Sequence, residues 1–269
     1  MTADTDADAI EATRAPLMEH LIELRSRLIR SLIAVAIAFA ACMFFADKIF
    51  NILLWPYELA AGSAADVRLI YTAPQELFLT HIKLAIFGAV FISFPIIAMQ
   101  LYKFVAPGLY RKEKAAFRPF LIATPILFLA GACFVYFVTM PLAMRFFLSM
   151  QQTGGDGQAS IQLLPRTAEY LSLITKLILG FGICFQLPVV LVLLARVGFI
   201  DSTWLKKKRK YMIVGIFGLA AIATPPDVFS QCALAIPLLA LYEASIYVVR
   251  LVEKRRAAEA GEASAGSAA

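Results

Sequence analysis

Two carboxylates set among arginines and lysines have the clearest chemical capacity in this chain. Glu23 stands in His20-Leu-Ile-Glu-Leu-Arg-Ser-Arg27, one turn after Glu19 and one turn before Arg27. Glu113 stands in Phe104-Val-Ala-Pro-Gly-Leu-Tyr-Arg-Lys-Glu-Lys114, flanked by Arg111, Lys112 and Lys114. A carboxylate receives a guanidinium as a two-pronged fork, so such a pair could take arginine side chains from a partner. Both also have ordinary explanations. On a helix, Glu23 and Arg27 make an i,i+4 pair worth a few tenths of a kcal/mol, and Glu113 can be a solvated loop carboxylate that contributes little. A second group, Gln100, Gln186, Thr224, Gln231 and Glu243, is polar within apolar surroundings. Hydrocarbon offers these groups no hydrogen bonds, so they must pair between helices of the chain or dock a helix of another protein.

Other chemistries are missing. The histidines, His20 and His81, are 61 positions apart, and Cys42, Cys133, Cys184 and Cys232 fall one per apolar segment with no C-x-x-C. Neither set has metal-ligand or disulfide spacing, so the cysteines read as small core residues and no metal or cofactor is expected. There is no H-E-x-x-H, G-x-S-x-G or Walker A loop and no pair of intramembrane aspartates, so an enzyme is not indicated.

The elements that must hold these residues are membrane helices. Of 269 residues, 61% are hydrophobic and 16% charged, and the mean hydropathy is +0.76. Such a composition belongs in a lipid bilayer. The net charge of +6 comes in clusters between apolar segments without aromatic-basic interleaving, so no nucleic-acid partner is expected.

Leu17, Leu21, Leu24 and Leu28 recur at helical spacing, with Glu19, Glu23, Arg27 and Arg30 on another side. An interfacial helix beginning near Pro16 is expected, running on through the charge-free Ser31–Ala46 into lipid. Residues 1–15 are acidic and residues 257–269 are of low complexity. Both ends are expected to be disordered, flanking a membrane domain at 16–256, and no removable signal peptide is evident.

Six apolar segments can be drawn: 28–46, 84–102, 119–144, 177–195, 211–226 and 228–242. The last two, of 16 and 15 residues, rise only ~24 Å against a ~30 Å hydrocarbon core and are expected to be short. Pro95, Pro125, Pro141, Pro188 and Pro237 interrupt the spans, so the bundle is expected to be kinked and concave. Nineteen of the 25 lysines and arginines fall on one side of this threading, leaving Lys48, Arg68, Lys83, Arg145, Arg166 and Lys176 on the other. By the positive-inside rule both termini are cytoplasmic.

Three stretches in combination resemble a known family: His20 to Arg27, Phe104 to Tyr110 followed by Glu113, and Thr224-Pro-Pro-Asp-Val-Phe-Ser-Gln231. They are similar to the signature stretches of TatC, the multispanning receptor of the twin-arginine protein translocase, over about Pro16 to Arg256. The resemblance implies a cupped, all-α, six-helix protein of the inner membrane. Its cytoplasmic face would bind twin-arginine signal peptides of folded proteins, and it would assemble with single-span TatA- and TatB-like partners into an oligomeric complex driven by the proton-motive force. By matching motif positions, Glu23, Arg25, Phe104 and Glu113 would form the signal-peptide site. Thr224 and Gln231, with Gln186, would meet partner helices, while Pro56 and Asp227 would belong to outer-side elements. Gln186 departs from the family pattern, where a membrane-embedded Glu is often found; an amide keeps its hydrogen bonds but cannot titrate. The competing expectation is a secondary transporter of a small solute or ion. It would need ionisable groups near the bilayer midplane, which the charge-free cores of spans two to four do not supply.

Overall fold

The computed structural model describes residues 3–63, 67–105, 118–152, 159–223 and 228–266. These residues are helical with two isolated β-bridges, so the all-α reading holds. In chain order the helices are α1 (Ala3–Phe44), α2 (Ala46–Ala61), α3 (Glu76–Val105), α4 (Arg118–Phe134), α5 (Met140–Leu148), α6 (Thr167–Cys184), α7 (Leu187–Val197), α8 (Ser202–Ala223) and α9 (Val228–Gly266). A π-helical turn, Val135–Thr139, joins α4 to α5.

The six apolar segments map onto α1, α3, α4–α5, α6–α7, α8 and α9. Among the described residues, five stretches are long and apolar enough to cross a bilayer: Leu21–Phe44, Glu76–Phe104, Phe120–Leu148, Thr167–Arg196 and Gln231–Lys254. In α8 only the part after the Lys206–Lys210 run is charge-free. The helix at the sixth segment does not stop at Tyr242. Glu243 ends the charge-free run and accepts from Arg209 of α8 at 2.6 Å, and α9 continues past it through the uncharged residues 244–249.

Both chain ends continue as helix, α1 from Ala3 and α9 to Gly266. Alanine-rich sequence favours helix, and acidic residues suit a helix N-terminus. Pro16 consequently lies inside α1 and not in its first turn.

Prolines set the breaks. Pro141 has no N–H for the Phe137 carbonyl, and the chain passes this point through the π-helical turn. Pro188 opens α7 after the turn at Phe185 and Gln186, which divides the fourth span in two. Pro56 sits within α2 and is buried. It leaves the Ile52 carbonyl without its helical donor, and the Tyr136 hydroxyl, presented by the π-helical turn, donates to that carbonyl at 2.7 Å.

The core lies where α2, α3, α4–α5, α6–α7 and α9 meet, around fully buried Tyr57, Leu84, Phe181, Ile174 and Leu238. By contrast α1 leaves Leu28, Leu32 and Ile37 exposed. A helix apolar on its uncovered side is at rest when the solvent is lipid.

At the end of the bundle away from the basic clusters, the connections are tied together. Glu76 is buried, accepting from Arg166 at 2.8 Å and from the Thr72 backbone at 3.0 Å. Nearby, the Ile70 carbonyl accepts from the Thr167 backbone at 2.9 Å. The hydrogen bond and charge of Glu76 hold the Arg166 guanidinium still more firmly in its protonated form.

Candidate functional site at the basic end

The helix pair α1 and α3 positions the first candidate carboxylate. The two pack antiparallel, and at Gly88 they are in tight contact, where an added Cβ would lie 2.8 Å from Cys42 Sγ. A side chain there would crowd Cys42 and Ile49, so glycine suits the tight contact at this point. That contact fixes their level. Nineteen residues separate Glu23 from Cys42 and seventeen separate Val105 from Gly88. At ~1.5 Å per residue, Glu23 stands within about 3 Å of the level at which α3 ends. The segment carrying Glu113 leaves α3 at that level; Glu113 itself, with Thr224 and Asp227, lies outside the described residues.

Glu23 is partly exposed and already has a partner. Arg27 donates to Oε1 from Nε at 3.0 Å and also from Nη2. Arg27 is the more buried of the two. An open depression of about 370 Å³ runs along this face, lined by Ile22, Glu23, Ser26, Arg27 and Arg30. A ligand arginine arriving here would compete with Arg27 for one carboxylate. Arg25 is exposed, and two residues on a helix turn by ~200°, so it faces nearly the opposite way from Glu23. The helix therefore does not bring Arg25 and Glu23 to one face. Phe104, in the last turn of α3, is half-buried and engaged by neighbours.

The expected partner-helix residues use their amides within the chain. Gln186, at the α6–α7 turn, donates through Nε2 to the Thr124 carbonyl of α4 at 3.0 Å and to Gly182 at 3.3 Å. Its Oε1 is buried without a hydrogen-bond partner. Gln231 of α9 donates to the Phe217 carbonyl of α8 at 3.2 Å. Both amides thus link helices of the chain, as polar groups in apolar surroundings do.

Several pairs at the basic end escaped the sequence reading. Glu253 of α9 accepts from the Ser202 backbone at 2.7 Å and from its hydroxyl at 2.6 Å, capping α8 together with Asp201. Tyr242 donates to the Leu205 carbonyl at 2.7 Å. Arg196 lies over the Phe120 ring at 5.4 Å. Asp201-Ser202 was a legible cap signal, but its distant partner was not.

Comparison with known proteins agrees with this architecture. Residues 19–237 match the family described as Sec-independent protein translocase protein (TatC). The chain is 45% identical over 244 residues to the Sec-independent protein translocase protein TatC of Magnetococcus marinus, covering 91% of this chain and 87% of that one. It is 38% identical to the protein of the same name from Escherichia coli K12, covering 90% of each. A crystal structure of the twin-arginine translocase receptor TatC superimposes with a TM-score of 0.74 at 39% identity, covering 86% of this chain and 98% of that one.

Proposed function

Since this chain belongs to the TatC family of Sec-independent protein translocase proteins, a family of membrane-embedded transport subunits and not of enzymes, we propose that it is the signal-peptide receptor of its translocase. In this reading the basic end of the bundle is cytoplasmic, both termini lie there, and twin-arginine signal peptides of folded proteins bind through Glu23 and Glu113. Phe104 supplies apolar contact, and Arg25, on the other side of α1, contributes outside the Glu23 face. Single-span TatA- and TatB-like proteins pack along α8 and α9 near Thr224 and Gln231, and Gln186 also meets a partner helix. Pro56 and Asp227 serve the outer side. Residues 16–256 act as the membrane unit, and transport draws on the proton-motive force.

The observation that carries this reading is the common level of Glu23 and the end of α3, set by the Cys42–Gly88 approach. The segment that carries a second carboxylate, 90 positions on from Glu23, leaves α3 at that level, and a ligand with two adjacent guanidiniums requires two acceptors at one face. A small-solute transporter finds no support in the family. The direct experiment is site-specific photocrosslinking from positions 23 and 113 to a twin-arginine signal peptide in native membranes. Crosslinks from both positions, lost when the arginine pair is changed to lysines, are expected. Crosslinks from neither would set the reading aside.

A further inference from the structure

A groove of about 400 Å³ opens between α3 and α6 toward the end of the bundle away from the basic clusters. Its walls are apolar, with Leu84, Phe87 and Leu171, and two ammonium groups line it, Lys83 of α3 and Lys176 of α6. Both lysines are exposed, and neither pairs with a carboxylate among the described residues. Their places in the sequence are equivalent. Lys83 is the last charge before the charge-free run 84–102, and Lys176 the last before 177–195. The starts of α3 and α6 are pinned side by side by Glu76 and Arg166. Lys83 and Lys176 lie seven and ten residues beyond those anchors, ~10 and ~15 Å along the helices. Each stands where the charge-free part of its span begins.

Snorkelling explains a single lysine at such a boundary. It does not explain two lining one groove, an arrangement whose paired positive charge an anion would match. From this geometry we infer that the groove is a binding site for one anionic glycerophospholipid of the leaflet away from the basic end. The phosphate sits between Lys83 and Lys176, with the Ser172 hydroxyl, which also lines the groove, able to donate to it. The acyl chains follow Leu84, Phe87 and Leu171 toward the bilayer centre. A soluble anion would satisfy the lysines but leave the apolar walls uncovered. The inference needs only the membrane setting and is independent of how the signal peptide is read.

The test is native mass spectrometry of the full chain in detergent, titrated with phosphatidylglycerol and, separately, with phosphatidylcholine of the same acyl chains. With ~1 kcal/mol per basic residue near an anionic headgroup, Lys83→Gln or Lys176→Gln should weaken phosphatidylglycerol retention roughly fivefold, and the pair about 25-fold. The double Lys→Arg variant should retain it, and Lys48→Gln, an equal charge change at the same end, should leave it unaltered. Equal retention by wild type and the double Gln variant would overturn the proposal. So would phosphatidylcholine held as tightly as phosphatidylglycerol, or displacement of the lipid by millimolar inorganic phosphate. Because all the variants change exposed side chains, an unchanged melting temperature in detergent confirms that each is folded.

Discussion

Glu23 carries an internal ion pair and, in the proposed reading, the recognition of a ligand arginine. Its pair with Arg27 is an i,i+4 contact on a partly exposed helix face, so it adds only a few tenths of a kcal/mol to the fold. The same pair holds the carboxylate in one rotamer, facing the depression along α1. A ligand guanidinium must take the place of Arg27 or share the carboxylate with it. Glu23→Ala is therefore expected to weaken signal-peptide binding by roughly ten- to a hundredfold, the range for losing a charge-assisted hydrogen bond of ~1.5–3 kcal/mol. Arg27→Gln is expected to bind no more weakly than wild type, since it removes the competitor and keeps the acceptor. Fluorescence anisotropy with a labelled twin-arginine peptide measures both. Loss of binding in Arg27→Gln equal to that in Glu23→Ala would mean that the ion pair, and not the free carboxylate, is what the ligand reads.

Among the elements, the helix breaks are where sequence and tertiary structure meet. Pro56 deprives the Ile52 carbonyl of its donor, and Tyr136 replaces it from 84 positions away. Tyr136→Phe is expected to cost about 0.5–1.5 kcal/mol in thermal unfolding in detergent. In a Pro56→Ala background, where the new residue brings its own N–H, that cost should shrink toward zero; an undiminished cost would break the link. At Gly88 a valine is expected to push α1 off α3 and weaken signal-peptide binding without touching any ligand-facing residue. Binding unchanged in a variant that stays folded would disconnect the helix spacing from the site.

The apolar runs and the prolines made the six segments and the breaks near Pro141 and Pro188 legible from residue types alone. The continuation of α9 past Glu243 was not, because the charge that ends the apolar run is matched by Arg209, 34 positions earlier. Gln231 and Gln186 were legible as polar groups needing partners, but which carbonyl each would reach depends on helix register, which local pattern does not carry. Glu23 was legible as a candidate by its neighbours. Its level against α3 rests on one close approach between a glycine and a cysteine.

For the whole molecule, the two ends of the bundle are built differently. The end away from the basic clusters is tied by the buried Glu76, its Arg166 and the paired connections around Ile70. The basic end presents partly exposed charge along an open depression on α1. Rigid anchoring at one end and an open charged face at the other suit a receptor that captures a peptide from one side of the membrane. Arg166→Gln leaves the Glu76 carboxylate buried without its counter-charge, so it should lower the unfolding temperature. The added change Glu76→Gln should recover part of the loss, and no recovery would mean that the carboxylate is held by its other donors. Recognition of arginine pairs at the basic end is tested most directly by the affinity of Glu113→Gln for a twin-arginine signal peptide, with a twin-lysine peptide as control. Arg111, Lys112 and Lys114 repel a cationic ligand, so a neutral amide cannot stand in for the carboxylate, and a ten- to hundredfold loss is expected, close to that of Glu113→Ala. Wild-type affinity in Glu113→Gln, with the twin-lysine peptide still unbound, would contradict the assignment and place arginine recognition on other residues.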